Sequence, residues 1–372
     1  MKLIYKNPRE IRGSYIWNAN TKFLSEDDLK SKLKSDLNDK KLLEKLVKKY
    51  GNKLFLESGS RKEDEFFVWF SRIKEWSNQK NVKTKFSIQP TKLNKDKEND
   101  NLINFFDFSS KLNKKFQLKI DFNFDGYETI LEVNPNITKP YNKNSKLYQQ
   151  YTKSEKYLEQ TKGIKKLAKS IVGKETDFFK KARKIFDWII ENISYKYPPE
   201  IRGVIPTLKN KCGDCGEFNH VFITLCRSLG IPARSVLGMW AIPKIKQGYH
   251  AWAEFYLEDV GWIPIDSSVA EGLKNKKDKE FVKFMEKIKN PMNHDFYFGN
   301  LDNNRIVFSK GENILIPNCP KELSQFPMME DCRSSFMQPT SVYPHISGKE
   351  KGIFIIDIGA ELDVLARAHN YR

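Results

Sequence analysis

Apolar side chains alternate with polar ones through Phe116, Leu118, Ile120, Phe122 and Phe124, and again through Tyr127, Thr129, Leu131 and Val133, on either side of Asp125-Gly126. Period two is the period of a strand and Asp-Gly is a turn pair, so this stretch predicts a hairpin of two antiparallel strands. Elsewhere the spacing is helical. Ser25 and Asp28 form a capping-box-like start ahead of Leu29, Leu33 and Leu37, and Gly51 closes that pattern. Phe66, Phe67, Phe70 and Ile73, with Val68, Trp69 and Trp76 apolar on further sides, predict a second helix. Residues 1–95 therefore read as a lysine-rich, mostly helical region, and the polar run TKLNKDKEND at 91–100 as a linker. A β-hairpin segment and connector fill 96–160.

From residue 161 the helical period returns in Ile164, Leu167, Ala168 and Ile171. It recurs after a Thr176 cap in Phe179, Ala182, Phe186, Ile189, Ile190 and Ile193, with Pro198-Pro199 beyond the end. Phe218, Val221, Phe222, Leu225 and Leu229 mark one face of a third helix, stopped by Gly230 and Pro232. A strand at Ile353–Ile356 and a short closing helix through Leu362, Val364 and Leu365 are expected to extend the 161–372 domain. The class predicted is α+β, and no internal repeat is present.

Composition narrows this less than the pattern does. A net charge of +18 would draw nucleic acid or other anionic partners, but lysines spread evenly over a solvated surface produce the same total, and no nucleic-acid motif accompanies them. No apolar run reaches membrane-spanning length, and the start MKLIYKNPREIRGS lacks a signal-like core. Five cysteines, an odd number, suggest free thiols in a reducing compartment, hence the cytoplasm.

One cysteine is differently placed. Asp214 stands where an N-cap would, so Cys215 falls in the first turn of the third helix, three residues before Phe218. That turns its thiol toward the buried face, and a helix N-terminus favours a negative sulfur, which predicts a lowered pKa. A lone cysteine is more often a small buried hydrophobe, and Cys226, Cys319 and Cys332 are read that way, as bystanders. Cys212 and Cys215 also make a C-x-x-C, which could be half a zinc site or a redox pair, but the chain has no second C-x-x-C.

Downstream, YHAWAEFYL and GWIPID alternate as strands around Asp259 and Gly261. Pairing His250 directly with Asp266 centres the turn on Glu258 and sets both side chains on one face. A carboxylate there can hold one imidazole nitrogen while the other exchanges a proton with a thiol. Cys215, His250 and Asp266 are thus the candidate catalytic residues.

These motifs, GDC with its apolar helix and LCRSLGIPAR, then HAW-E, then GW-P-D, resemble the transglutaminase-like superfamily over roughly 161–318. Arg202-Gly203 and YFGNLDNNRIVFSKG at 297–311 resemble segments of its microbial members. The resemblance implies a papain-like core, a cysteine nucleophile at 215, a base and acid at 250, an orienting carboxylate at 266, and no metal or cofactor. It implies an upstream side chain as second oxyanion donor, for which Thr207 and Asn210 are candidates by nearness. Microbial members suggest hydrolysis of amide bonds in a protein or peptide substrate, as protease, peptidase or deamidase. Crosslinking acyl transfer to an amine is the alternative. CGEF and TLCR also resemble peptide:N-glycanase, though no paired C-x-x-C module precedes them. A different class, the non-catalytic basic binding module, usually lacks the triad that this chain retains.

Overall fold

A computed structural model describes residues 1–51, 53–58, 63–133, 138–199, 201–242, 248–320, 332–334 and 345–368. The class is α+β, as the pattern predicts. At its centre lies a four-stranded antiparallel sheet in the order Gly261–Ile265, Tyr249–Leu257, Ala233–Trp240, Arg305–Lys310. Helix Cys215–Ser228 packs on that sheet, with helices Lys162–Val172 and Phe178–Asn192 against its other sides. Every residue from Gly216 to Arg227 is buried, so this helix is central to the core and its register is fixed from all directions. Burial of side chains such as Phe218, Phe222 and Leu225 stabilises it by about 1.5–3 kcal/mol each.

The caps follow the sequence closely. Ser25 and Asp28 form a reciprocal capping box, and Asp214 caps the cysteine helix, accepting from the Gly216 amide at 2.8 Å. Asp177, one residue beyond the expected Thr176, caps Phe178–Asn192 through the Lys180 amide at 2.9 Å.

The N-terminal region departs from the expected helices. Lys2–Ser25 is one long strand, with Ile11, Tyr15, Trp17, Ala19 and Thr21 buried along one face at period two. Phe66 and Phe70 belong to strand Glu65–Ser71, not a helix; being apolar on both faces is the mark of a strand covered on both sides. Among the described residues of this region, only the capped helix Glu26–Leu33 and helix Leu42–Tyr50 are helical. The supposed linker contributes strand Lys92–Lys95.

Nor does Asp125-Gly126 turn. Lys115–Glu132 runs through it as a single strand, with Gly126 opposite Arg9 on one side and Gln79 on the other. Ladder bonds to two neighbours outweigh the local turn preference, and a Cβ on the glycine would come within 2.8 Å of Ile11 Cδ1, so that the isoleucine tip would have to shift. The C-terminal strand and helix are likewise one strand, Gly352–Ala368, which pairs with Lys2–Ser25 from Arg9↔Ala368 to Ser25↔Gly352. It is a strand of the N-terminal sheet rather than an extension of the 161–372 domain.

This arrangement positions the site. Tyr15, Trp17, Phe70 and Phe106 share a hydrophobic core with Met239, Ile306 and Phe308 of the central sheet. The sheet is therefore covered by helices on one side and by the N-terminal β layers on the other, and Ala233–Trp240 and Arg305–Lys310 are buried at every position. Among the described residues no helix is long and apolar enough to cross a membrane.

Candidate active site

Cys215 opens its helix and lies half-buried against Leu237 and Ala251 of the central sheet. Ala251 follows His250, so helix start and histidine strand meet at the sulfur. The lowered thiol pKa expected from the helix terminus is corrected here. Burial pushes the Cys215 thiol up, the Asp214 carboxylate pushes it further, and a hydrogen bond from the Ala251 backbone only partly opposes them. The residue that caps the helix is itself the anion beside the sulfur, and the resting group is a thiol.

His250 and Asp266 come together. His250 Nε2 lies 2.7 Å from Asp266 Oδ2, with both residues buried. They are not direct cross-strand partners: Tyr256↔Trp262 and Leu257↔Gly261 centre the hairpin on Asp259, whose φ of 63° makes the turn, so the register is two residues from the expected one. A slip of two preserves the face, and the contact survives as a diagonal. Asp266 stands just past the strand as N-cap of helix Ser267–Asn275, where its Oδ1 accepts from Ser268 Oγ at 3.0 Å and the Val269 amide at 3.1 Å.

Its Oδ2 accepts a second donor, Arg305 Nη1 at 2.7 Å, and Arg305 is held in turn by Asp302 through Nε at 3.0 Å and Nη2 at 2.8 Å. Burial works to raise Asp266, but the charges of His250 and Arg305 prevail and hold it well below the usual carboxylate range. Arg305 is the buried partner of Asp266 that sequence reasoning missed. It stands inside the quoted LDNNR stretch, and the Asp302–Arg305 spacing, three apart before a strand, was its only local signal.

Aromatic rings fix the histidine. Trp240 stacks on His250 at 4.7 Å between centroids, Trp252 follows at 6.1 Å, and Arg305 lies 4.6 Å and 5.0 Å from the same two indoles. The Trp252 ring occupies the space over Gly238, the partner of His250, where a Cβ would meet Trp252 at 2.7 Å and the Ile306 carbonyl at 2.2 Å. Gly238→Ala is expected to destabilise the protein by about 1–3 kcal/mol through this overpacking, read as a lowered Tm. An unchanged melting curve would show that Trp252 does not depend on that gap.

Beneath the helix start, Arg202 bridges two carboxylates, reaching Glu217 at 3.0 Å and Asp214 at 3.1 Å. Burial and the neighbouring Asp214 push Glu217 up, while Asp214 is lowered, so the pair shares a proton. His220 is pushed down to about 3 by burial and by Arg202, and is neutral. Thr207 spends its hydroxyl on the Gly203 carbonyl at 2.7 Å, and Asn210 is exposed, so neither candidate oxyanion donor is supported. Tyr195 instead lines a cleft of about 280 Å³ with Trp240, Tyr249, His250, Phe281 and Phe284. Tyr195 is about half exposed, and the partial burial of its ring and the proximity of Cys215 both raise its pKa, so its hydroxyl keeps its proton.

The other cysteines sort differently from expectation. Cys319 and Cys332 form a disulfide, brought together where Ile314–Leu315 pairs with Arg333–Ser334, a contact that their surrounding text does not announce. Cys212, Cys215 and Cys226 are free. Among the described residues no three His, Cys, Asp or Glu side chains gather as metal ligands.

Residues 165–267 match the model of the transglutaminase-like superfamily. An uncharacterized protein of Haemophilus influenzae is 30% identical over 149 aligned residues, a match covering 32% of this chain and 40% of that protein's length. In structure, the chain is similar to a candidate cysteine protease of Cytophaga hutchinsonii, with a TM-score of 0.54, 13% identity, and coverage of 100% of this chain and 94% of that one. That likeness speaks for the fold, whereas the site is argued from the side chains above. The segment 165–267, which holds Cys215, His250 and Asp266, is thus a transglutaminase-like core.

Proposed function

We propose that the protein is a cysteine hydrolase acting on amide bonds of proteins or peptides, with Cys215 as nucleophile, His250 as base and then acid, and Asp266 orienting the imidazole. The observation that carries this reading is the buried 2.7 Å contact between His250 Nε2 and Asp266 Oδ2, one residue from the backbone that binds the Cys215 sulfur. With Nε2 engaged by Asp266, Nδ1 is the nitrogen that takes the thiol proton as Sγ attacks the carbonyl. The tetrahedral oxyanion is met by the Cys215 backbone N–H and by the Tyr195 hydroxyl. Collapse breaks the C–N bond, His250 delivers its proton to the leaving amine, and a thioester remains. Water, deprotonated by His250, then releases the carboxylate and restores the thiol.

A resting thiol suits this sequence, because the proton that His250 must give to the amine is the one it takes from sulfur. A disulfide persists where the medium is oxidising, so Cys319–Cys332 favours such a compartment over the cytoplasm.

The test is a reaction with casein or a glutamine-containing peptide, quenched in acid within the first turnover. An acyl adduct on Cys215, followed by peptide amines or ammonia as products, is expected. Adding a primary amine tells hydrolysis from crosslinking: retained amine in the product would transfer the reading to an acyltransferase. Absence of any acyl adduct under conditions of turnover would remove the thioester mechanism.

A further inference from the structure

A second cavity, of about 250 Å³, opens between the N-terminal β layers and the central sheet. Tyr5 and Trp76 come from the N-terminal side; Arg234, Glu254, Trp262 and Lys310 come from the sheet. None of these residues belongs to the cleft beside His250. The three charged residues lining it are all buried. Arg234 donates to Glu254 Oε2 from Nε at 3.0 Å, and Lys310 Nζ donates to Oε1 at 2.6 Å. Two cations thus share one carboxylate, and the lining carries one uncompensated positive charge.

We propose that this cavity binds a small organic monocarboxylate with a flat, apolar body. The buried trio lacks one negative charge, and a desolvated charge without a counter-charge is costly, so a monoanion restores neutrality. A dianion such as phosphate would reverse the imbalance rather than remove it. Lys310 gives one ammonium proton to Glu254 and has no second acceptor among the described residues, which leaves donors for a carboxylate. Burial pushes Lys310 down to about 8 even with Glu254 opposing, as expected of a cation short of anionic partners.

The body of the ligand follows from the walls. Trp76 carries Lys310 over its ring at 4.9 Å, and Trp262 carries Arg234 at 3.9 Å, so each cation already sits on an indole face. A flat apolar group between such rings buries its surface beside the charge that its carboxylate needs. Tyr5 and Ser77 are exposed, and their side chains are hydrogen-bonded to each other; they mark the mouth. The volume admits a single aromatic ring with short substituents.

Calorimetric titration of the full chain with benzoate and with benzamide tests this, since the two share shape and differ in charge. One benzoate site is expected, with benzamide bound at least about tenfold more weakly. Lys310→Met should abolish that preference, and Ser77→Trp, a change at the exposed rim that leaves the charges in place, should abolish binding. His250→Ala should bind benzoate as the wild type does, which separates this cavity from the catalytic cleft. Equal affinity for both ligands, no benzoate binding, or binding undiminished in Ser77→Trp overturns the proposal. Displacement of benzoate by inorganic phosphate overturns the carboxylate class. Should Lys310→Met not fold, the wild-type ratio and the rim variant decide alone.

Discussion

Replacing Cys215 with alanine is expected to lower kcat/KM for amide hydrolysis by at least about 10⁴-fold, leaving the fold intact. The loss is large because Cys215 is the free cysteine packed against Ala251, beside His250, whereas Cys212, also free, lies in the short strand Cys212–Gly213 ahead of the helix. Cys226 is buried within the helix, and Cys319 and Cys332 are joined to each other. The same cysteine should also show its state through alkylation. Rate follows the thiolate fraction, and burial with Asp214 holds the Cys215 pKa above its ordinary value, so iodoacetamide should react slowly near pH 6. Below that pKa the rate climbs about tenfold per pH unit, with no plateau on the way to alkaline pH. Intact-protein mass resolves the adduct, and the denatured chain gives the unshifted comparison. A plateau below neutrality would show a preformed thiolate–imidazolium pair instead. Full activity in the alanine variant would end the cysteine-hydrolase reading.

The sequence discloses most where local chemistry and tertiary demand agree. Asp214, Cys215 and the apolar face from Phe218 onward specify a capped helix whose first turn carries a thiol, and the structure builds it so. His250 and Asp266 were legible because strand period and turn residues together restrict the register to a few choices, and a two-residue error keeps the face. The thiol pKa was misjudged for a physical reason: dipole reasoning counts the helix, whereas the nearest charges, Asp214 among them, depend on the packed site. Arg305 was hidden similarly, since its partner Asp266 lies 39 residues away in the chain.

The N-terminal half was least legible. Ile11, Tyr15, Trp17 and Ala19 do alternate, but Gly13 interrupts the row, and its gap makes sense only once the Phe122 ring is seen within 2.6 Å of where its Cβ would be. Strands buried on both faces, such as Glu65–Ser71, show no period that separates them from buried helices. Gly126 reads as a turn because a single chain does not reveal that Arg9 and Gln79 will pair on either side of it. The core was therefore open to local reading, and the layers that support it were not.

Asp266→Asn is the second large effect, and it separates orientation from nucleophilicity. The carboxylate has two donors on each oxygen: Ser268 and Val269 on Oδ1, His250 and Arg305 on Oδ2. Asparagine replaces one acceptor oxygen with an amide that only donates, so in either orientation one pair of donors meets an NH₂ group. Facing His250, the amide forces Nε2 to accept, which shifts the ring proton to Nδ1, where it blocks transfer from Cys215. Facing the helix, it removes the cap of Ser267–Asn275. The loss of negative charge also leaves Arg305 buried with Asp302 as its one remaining carboxylate. Hydrolysis should fall about 10⁴-fold, as for an imidazole held in the wrong tautomer, and stability by about 3–5 kcal/mol, as for a broken buried ion pair. Because Asp266 is lowered in the folded state, its ionised form contributes stability above the usual carboxylate pKa and loses it as pH falls through the folded value. The asparagine variant should therefore lie closest to wild type in stability at low pH and furthest at neutral pH. Cys215 should remain open to iodoacetamide, since the sulfur is not itself removed. Activity within tenfold of wild type, with an unchanged melting profile across pH, would show that Asp266 neither orients His250 nor anchors Arg305.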